Sequence, residues 1–336
     1  MLESEVGIGI VGLGFVGERA HLPSFRSIPS ARPVAVADID TERAKRAAEK
    51  FKLKSAYSSH INLVKDPEVD AVVISVPTFL HRQIAVDAAR AGKHILCEMP
   101  LAPTLQEAQE IIDEAEAAGV IFMPSLNFRF TPNYVKVKEL IASGSIGVPV
   151  AAFYREFIAA EELAQQWPAN SWAWDEAKSG GGPVFTLSVW SIDLLRWLLQ
   201  ADVVEVYSSS RDVVLKQFRG TIGYNLPAVL KFSNEVVARL EFSGLVRPAM
   251  SESRLELLFD SMNSLTTEGN DRVILCTAEP DRQEWRFREK GPRVWGHLQE
   301  DQHFVESILM KKRPIITPED ALKAQEAAAK IVKSRL

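Results

Sequence analysis

The run Gly12-Leu13-Gly14-Phe15-Val16-Gly17 follows an apolar stretch, Val6 to Val11, and leads into the helix-prone Val16-Gly17-Glu18-Arg19-Ala20. A strand, a G-x-G-x-x-G turn and a helix make a cradle for a pyrophosphate. The first glycine allows the tight turn, the second lets the backbone approach the phosphates, and the third lets helix pack on strand. The helix start adds free N–H groups and the positive end of its dipole. A second match overlaps the first, Gly7-Ile8-Gly9-Ile10-Val11-Gly12, and an acidic partner decides between them. A dinucleotide site places Asp or Glu about 20 residues on, at the end of the second strand, to meet the ribose hydroxyls. Counted from Gly17 that place holds Asp38, closing Pro33-Val34-Ala35-Val36-Ala37; counted from Gly12 it holds Arg32 and Pro33. Asp40 is better placed than Asp38 to cap a helix over Thr41–Phe51, which leaves Asp38 for the cofactor. An acid here repels a 2′-phosphate and so favours NAD(H) over NADP(H).

Strands and helices must alternate to hold such a loop, and over residues 1–125 they do. Ala71-Val72-Val73-Ile74-Ser75-Val76 is continuous and β-branched, the pattern of a parallel strand buried on both faces. Pro77-Thr78 follows as a turn, then a helix that stops at Gly92, then the strand His94-Ile95-Leu96-Cys97-Glu98. Thr104-Leu105-Gln106-Glu107 is a capping box for the next helix. This is a doubly wound α/β Rossmann domain. Beyond it, over 126–336, the pattern is α+β with an open, largely antiparallel sheet. Hairpins are expected at Ser233-Asn234 and Gly269-Asn270, with helices near Pro132–Ser143, over Leu187–Gln200 and from about Pro318.

A length of 336 residues suggests about two domains. The net charge of −5, without a basic block, argues against a nucleic-acid surface. Cys97 and Cys276 lie in apolar strand-like runs and read as buried free thiols of a reducing compartment. No apolar run reaches membrane-span length, and the first strand starts too early for a signal peptide, so a cytoplasmic protein is expected. The histidines show no metal-ligand spacing.

In order and spacing, these motifs resemble the Gfo/Idh/MocA family of NAD(P)-dependent oxidoreductases along nearly the whole chain. The resemblance rests on the glycine loop with Asp38, Asp66-Pro67-Glu68-Val69-Asp70-Ala71-Val72, Pro77-Thr78 with His81, and Ala91-Gly92-Lys93-His94. It continues through Cys97-Glu98-Met99-Pro100, Asn127-Phe128-Arg129-Phe130-Thr131-Pro132, Gly144-Ser145-Ile146-Gly147, Trp172 with Asp175, Ser179-Gly180-Gly181-Gly182 and Ile192-Asp193. It implies hydride transfer between a nicotinamide and a small molecule such as a sugar or cyclitol, bound between the two domains. It implies cofactor contacts from Gly12, Leu13, Gly14, Phe15, Val16, Gly17, Asp38, Ser75, Val76, Pro77, Thr78, His81, Glu98, Met99 and Asn127. A homodimer or homotetramer through the C-terminal sheet is the family's usual assembly.

The chain departs from the family where protons move. The usual Glu-Lys-Pro lysine is Met99, and the usual Asp-x-x-x-His pair on the helix after the glycines is Thr186 and Trp190. Positions i and i+4 share a helix face, so both side chains point one way. None of the three replacements titrates near neutral pH. Three readings stay open. Another polar group, from Tyr154, Lys178, Arg129, His81 and Glu156, does the work. Alternatively the substrate is an already electrophilic, planar carbonyl compound that needs little help, or the chain is a silent dinucleotide-linked binding module. Met99, Tyr154, Trp172, Trp174, Thr186 and Trp190 are the expected pocket walls, with the aromatic faces suited to an apolar or planar substrate face.

Overall fold

A computed structural model describes residues 5–218, 221–278, 282–289 and 295–333. The chain divides into two compact units, Met1–Phe130 with Lys290–Leu322, and Thr131–Glu289 with Lys323–Leu336.

The first unit is built on six parallel strands: β1 (Val6–Val11), β2 (Ala31–Ala37), β3 (Ser55–Tyr57), β4 (Ala71–Ile74), β5 (His94–Cys97) and β6 (Phe122–Pro124). Their spatial order is β3-β2-β1-β4-β5-β6. The chain therefore runs outward from β1 to β3, then crosses over to lay β4 on the other side of β1. A crevice opens at that reversal, beyond the strand carboxyl ends, and ligands of doubly wound sheets bind there. Helices α1 (Leu22–Ser27), α2 (Thr41–Phe51), α3 (His60–Val64), α4 (His81–Arg90) and α5 (Leu105–Ala117) make the crossovers. They cover both faces, and Ile8, Ile10, Val72, Val73 and Ile74 are fully buried beneath them. The expected caps form. Asp40 accepts from Arg43 N at 3.0 Å, and Thr104 accepts from Glu107 N at 3.2 Å while its hydroxyl reaches Glu107 Oε2 at 2.8 Å.

The second unit carries a nine-stranded sheet. Four helices surround its start: α6 (Pro132–Ala142), α7 (Ala160–Gln166), α8 (Glu176–Ser179) and α9 (Gly182–Leu199). The strands are β7 (Pro149–Ala159), β8 (Val203–Ser208), β9 (Arg211–Leu215), β10 (Thr221–Phe232), β11 (Val237–Val246), β12 (Glu252–Phe259), β13 (Ser264–Glu268), β14 (Arg272–Cys276) and β15 (Arg282–Arg286). Their order is β15-β14-β13-β12-β7-β11-β10-β8, with β9 also on β10. Among the described residues of this sheet, only β7 and β11 pair in parallel. Both expected hairpins form, β10–β11 around Ser233-Asn234 and β13–β14 around Gly269-Asn270. Along β7, Ala152 and Tyr154 are buried while Phe153 and Arg155 are exposed, the period-2 signature of a sheet with one covered face.

Two expectations need correction. The helix expected over Leu187–Gln200 starts at Gly182, because Pro183 fits the first turn, where its missing N–H costs nothing. The glycine run ahead of it, Gly180 to Gly182, supplies three positive φ angles, 82°, 152° and 78°. Cys97 is buried as expected, but Cys276 is exposed, since it closes β14 on the side away from the helices. The chain end returns in two helices, α10 (His297–Met310) and α11 (Pro318–Lys333). α10 packs on α1 and the turn before it, within the first unit. Among the described residues no helix is long and apolar enough to cross a membrane.

Candidate dinucleotide site

The glycine loop sits where β1 ends, and its three glycines are needed for different reasons. Gly12 has φ +92°, and a Cβ there would lie 2.4 Å from Ser75 O. A Cβ on Gly17 would lie 2.0 Å from Gly12 O. Gly14 meets nothing within 4 Å among the described residues, so the loop presents open backbone at its middle. The competing register fails for a structural reason: Gly7 and Gly9 lie inside β1, and a Cβ on Gly7 would meet Glu68 O at 1.9 Å. Their smallness serves strand packing. The helix begins within the loop at Phe15 and Val16 and continues as the π-helical turn Gly17–His21, with no side-chain cap at Val16; Glu18 N bonds back to Gly14 O at 3.1 Å, and N–H groups ahead of that bond are where a helix start meets an anion.

Asp38 is 7% exposed and is joined directly to the loop. Its Oδ2 accepts from Leu13 N at 2.8 Å and its Oδ1 from Asp40 N at 2.9 Å. Arg43 Nη1 stands 3.4 Å from the same Oδ2, a neighbour that the sequence motif does not single out. Ser75 Oγ donates to Gly12 O at 2.7 Å, so the end of β4 braces the loop. These residues fit a dinucleotide: an open backbone turn, an uncapped helix start, and a carboxylate fixed at the end of β2.

The turn after β4 is held by His81. Its Nδ1 lies 2.9 Å from Pro100 O and its Nε2 2.8 Å from Val76 O. Burial lowers its pKa despite those carbonyls. It locks Val76 to the segment after Met99 rather than offering a free nitrogen. Arg129 is buried and its Nη1 lies 3.2 Å from Asp320 Oδ2. Lys178 is exposed and paired with Asp175 at 2.9 Å. Asn127 donates to Trp295 O at 2.6 Å.

Behind Glu98 lies a buried polar network that sequence motifs do not announce. Glu98 Oε1 meets His21 Nε2 at 2.9 Å and Ser125 Oγ at 3.0 Å. His21 Nδ1 meets Asp301 Oδ1 at 2.9 Å, and Ser125 Oγ lies 2.9 Å from Glu300 Oε2. Burial alone would lower the His21 pKa, but Asp301 and Glu98 outweigh it and raise it well above the usual value. His21 is an imidazolium between two carboxyl groups. Burial, with the Glu98 and Asp301 charges, pushes Glu300 well up, against the Ser125 hydroxyl that stands between the Glu300 and Glu98 carboxyl groups. Burial pushes Asp301 up to about 6 against the pull of His21. Burial and the His21 charge push His297 down to about 4. The donor atoms of His21, Glu98 and His297 lie within 4.8 Å of one another. A cation would need each donor at about 2.0–2.2 Å; here His21 and Glu98 instead bond directly, and both His21 ring nitrogens are already satisfied. His21, one turn past Gly17, is the one signal of this network in the sequence; Glu300-Asp301 read as ordinary helix acids.

In the second unit, Thr186 and Trp190 are half-buried on one face of α9, and Asp193 is buried further along. Trp174 donates its Nε1 to Trp167 O at 3.1 Å, while Trp172 is half-buried. Tyr154 is 2% exposed and donates to Glu156 Oε2 at 2.8 Å. Met99 is buried after Glu98.

Fold and site together define a two-unit, dinucleotide-binding oxidoreductase scaffold. Residues 6–126 match the oxidoreductase family with an NAD-binding Rossmann fold, and residues 134–261 match the GFO/IDH/MocA C-terminal domain. The chain belongs to the GFO/IDH/MocA oxidoreductase family. It is 28% identical to the scyllo-inositol 2-dehydrogenase (NAD(+)) of Bacillus subtilis, over 95% of this chain and 91% of that protein. It is 26% identical to the myo-inositol 2-dehydrogenase of Thermotoga maritima, over 93% of this chain and 91% of that one. A levoglucosan dehydrogenase solved with NADH and levoglucosan shares the fold at TM-score 0.85 and 20% identity, covering 98% of this chain and 97% of that one.

The buried network makes a pH prediction. Glu300 takes up a proton on folding wherever the unfolded chain holds it ionised. Its folded pKa is raised, so this contribution is full below the unfolded value near 4.5 and is lost as pH climbs toward the folded one. Glu300→Gln keeps a donor for Ser125 and removes the proton requirement. Its Tm relative to wild type is expected to rise as pH goes from about 5 to about 8, read by calorimetry at about 2–4 °C per kcal/mol. A pH-independent difference would show Glu300 ionised in the fold.

Proposed function

We propose that this chain is an NAD(H)-dependent dehydrogenase of a small polyhydroxylated ring, a sugar or cyclitol, whose proton-transfer group has left the family's usual positions. The carrying observation is the joining of the Gly12–Gly17 loop to Asp38 through Leu13 N, in a chain whose full-length relatives include inositol dehydrogenases. Gly12, Gly14 and Gly17 would hold the pyrophosphate and Asp38 the adenosine ribose. Ser75, Pro77, Thr78 and Glu98 would line the nicotinamide side. The nicotinamide, when bound, supplies the hydride acceptor or donor. Relatives that are named dehydrogenases favour an enzyme over a silent binding module. Trp172 and Trp190 would wall the substrate pocket, since aromatic faces suit the apolar face of a ring. Free Cys97 and the exposed Cys276 suit a reducing, cytoplasmic setting.

NAD is the preferred dinucleotide in this reading, because Asp38 occupies the place a 2′-phosphate would need. Arg43 supplies the other half of a selectivity test. Asp38→Ala should weaken NAD+ binding at least about tenfold, as loss of a charged hydrogen-bonding group does. Asp38→Ser with Arg43 retained should gain NADP+ affinity, and adding Arg43→Ala should remove that gain. Calorimetric titration with NAD+ and NADP+ reads all three, and equal wild-type affinity for both would sink the NAD preference. The substrate class is tested by following nicotinamide absorbance with myo-inositol, scyllo-inositol and levoglucosan.

The sheet of the second unit supports a homodimer or homotetramer. Its helix-free face exposes Phe153 at 39%, Val229 at 41% and Tyr207 at 64%. Interleaved with them are Arg155, paired to Glu241 at 3.1 Å and to Glu252 at 3.0 Å, and Arg239, paired to Glu241. An apolar stripe between charges of both signs is self-complementary under a twofold operator. Phe153→Glu should shift the wild-type oligomer toward monomer in light scattering; a wild-type monomer at micromolar concentration would refute the assembly.

A further inference from the structure

Trp295 lies just ahead of α10, among residues of the dinucleotide site. Its ring centroid is 6.1 Å from that of Phe15, which belongs to the glycine loop, and the two planes meet at 50°. The Arg19 guanidinium stands 5.3 Å from the Phe15 ring. Asn127, just after β6, donates to the Trp295 carbonyl at 2.6 Å. The indole also meets His297 edge-on at 6.4 Å between centroids. His297 in turn lies 5.4 Å from His21, the ring that holds Glu98 at the end of β5. All of these residues belong to the first unit.

These contacts locate Trp295 over the sheet. The loop after β1, the end of β5 and the turn after β6 are carboxyl ends of strands in one sheet of order β3-β2-β1-β4-β5-β6. Asp38 marks the adenosine side, at the end of β2. Trp295 stands on the opposite side of the loop, between β1 and β6, where the other half of a dinucleotide extends. Its place is fixed by α10. Gly296, with φ +78°, turns the chain from Trp295 into that helix, and Asp301 bonds the helix to His21 Nδ1 at 2.9 Å. Yet the indole is 40% exposed and the Phe15 ring 55% exposed. A single exposed aromatic needs no explanation. Two in contact at a phosphate-binding loop form an apolar surface of the kind that a ligand covers.

We propose that Trp295 is a cofactor-binding residue whose indole packs against the nicotinamide half of a bound NAD, with Phe15 as its support. This rests on the dinucleotide reading above. The oxidised nicotinamide is a flat, electron-poor cation, and an indole face attracts it through both contact area and charge. The reduced ring is neutral and keeps only the first attraction. Trp295 therefore favours NAD+ over NADH, and it contributes nothing to adenosine diphosphate, which has no nicotinamide.

Calorimetric titration with NAD+, NADH and adenosine diphosphate tests this. Trp295→Ala should weaken NAD+ binding about tenfold, the scale of a cation–π contact with its apolar area. NADH should lose less, and adenosine diphosphate should bind as it does to wild type. Trp295→Phe keeps an aromatic face and should lose less than the alanine variant. A second readout uses the indole itself. An excited indole gives an electron to an oxidised nicotinamide that it touches, so NAD+ should quench part of the wild-type tryptophan emission. That part should be missing in Trp295→Phe, and adenosine diphosphate should not produce it. Unchanged NAD+ affinity in Trp295→Ala, an equal loss for NAD+ and adenosine diphosphate, or unchanged quenching in Trp295→Phe each overturns the proposal and leaves the dinucleotide reading intact. A wild type that binds neither NAD+ nor NADP+ overturns that reading and this proposal with it.

Discussion

The His21 ring, with Nε2 on Glu98 and Nδ1 on Asp301, is the interaction on which the rest of the first unit depends. Its partners lie 77 and 280 residues away in sequence. It joins the helical turn below the glycine loop, the end of β5 and the returning helix α10. Burying carboxyl groups together would be prohibitive if all were ionised, since each isolated buried charge costs several kcal/mol. The structure meets this in two ways. An imidazolium sits between two of the groups, and burial pushes the Glu300 carboxyl well up, toward its neutral form. Glu98 is thereby fixed by His21 and Ser125, and through Ser125 by Glu300. The segment Glu98-Met99-Pro100, from which a nicotinamide-facing group is expected, begins at an anchored carboxylate.

The glycine loop and Asp38 are legible in the sequence because backbone geometry demands them. Gly12 needs a positive φ, Gly17 a close approach, and Asp38 the end of the second strand. The parallel strands are legible because burial on both faces leaves a continuous apolar run. Helix α9 starts earlier than its pattern suggests because three glycines and a proline look like loop, although Pro183 is at home in a first helical turn. Cys276 looks interior in sequence because strand burial depends on which face a residue takes, and at the end of β14 one position decides it. The His21 network is invisible for a deeper reason. Glu300 and Asp301 have the spacing of acids on any exposed helix, and only contacts with residues far away along the chain make them interior. The return of residues 290–322 to the first unit is hidden for the same reason.

Arg43 shows what a local motif leaves out. An acid at the end of β2 speaks for a free ribose. The guanidinium 3.4 Å from it belongs to the first turn of α2, which Asp40 caps. That helix cap fixes where Arg43 N lies and so where its side chain starts. The end of β2 therefore presents a pair, an acid bound to the loop and a half-exposed cation beside it, rather than Asp38 alone.

The two glutamates that matter here make the same point about chemistry. Glu98 and Glu156 are the same side chain, and neither can be understood from its type. Glu98 bonds to a cation, which keeps it ionised and removes it from proton traffic. Glu156 bonds only to hydroxyl groups, and burial carries its carboxyl toward the pH at which enzymes work. Environment sets two like residues apart: one carboxylate is bonded to a cation and holds a scaffold in place, the other sits among hydroxyl groups with its carboxyl pushed up by burial.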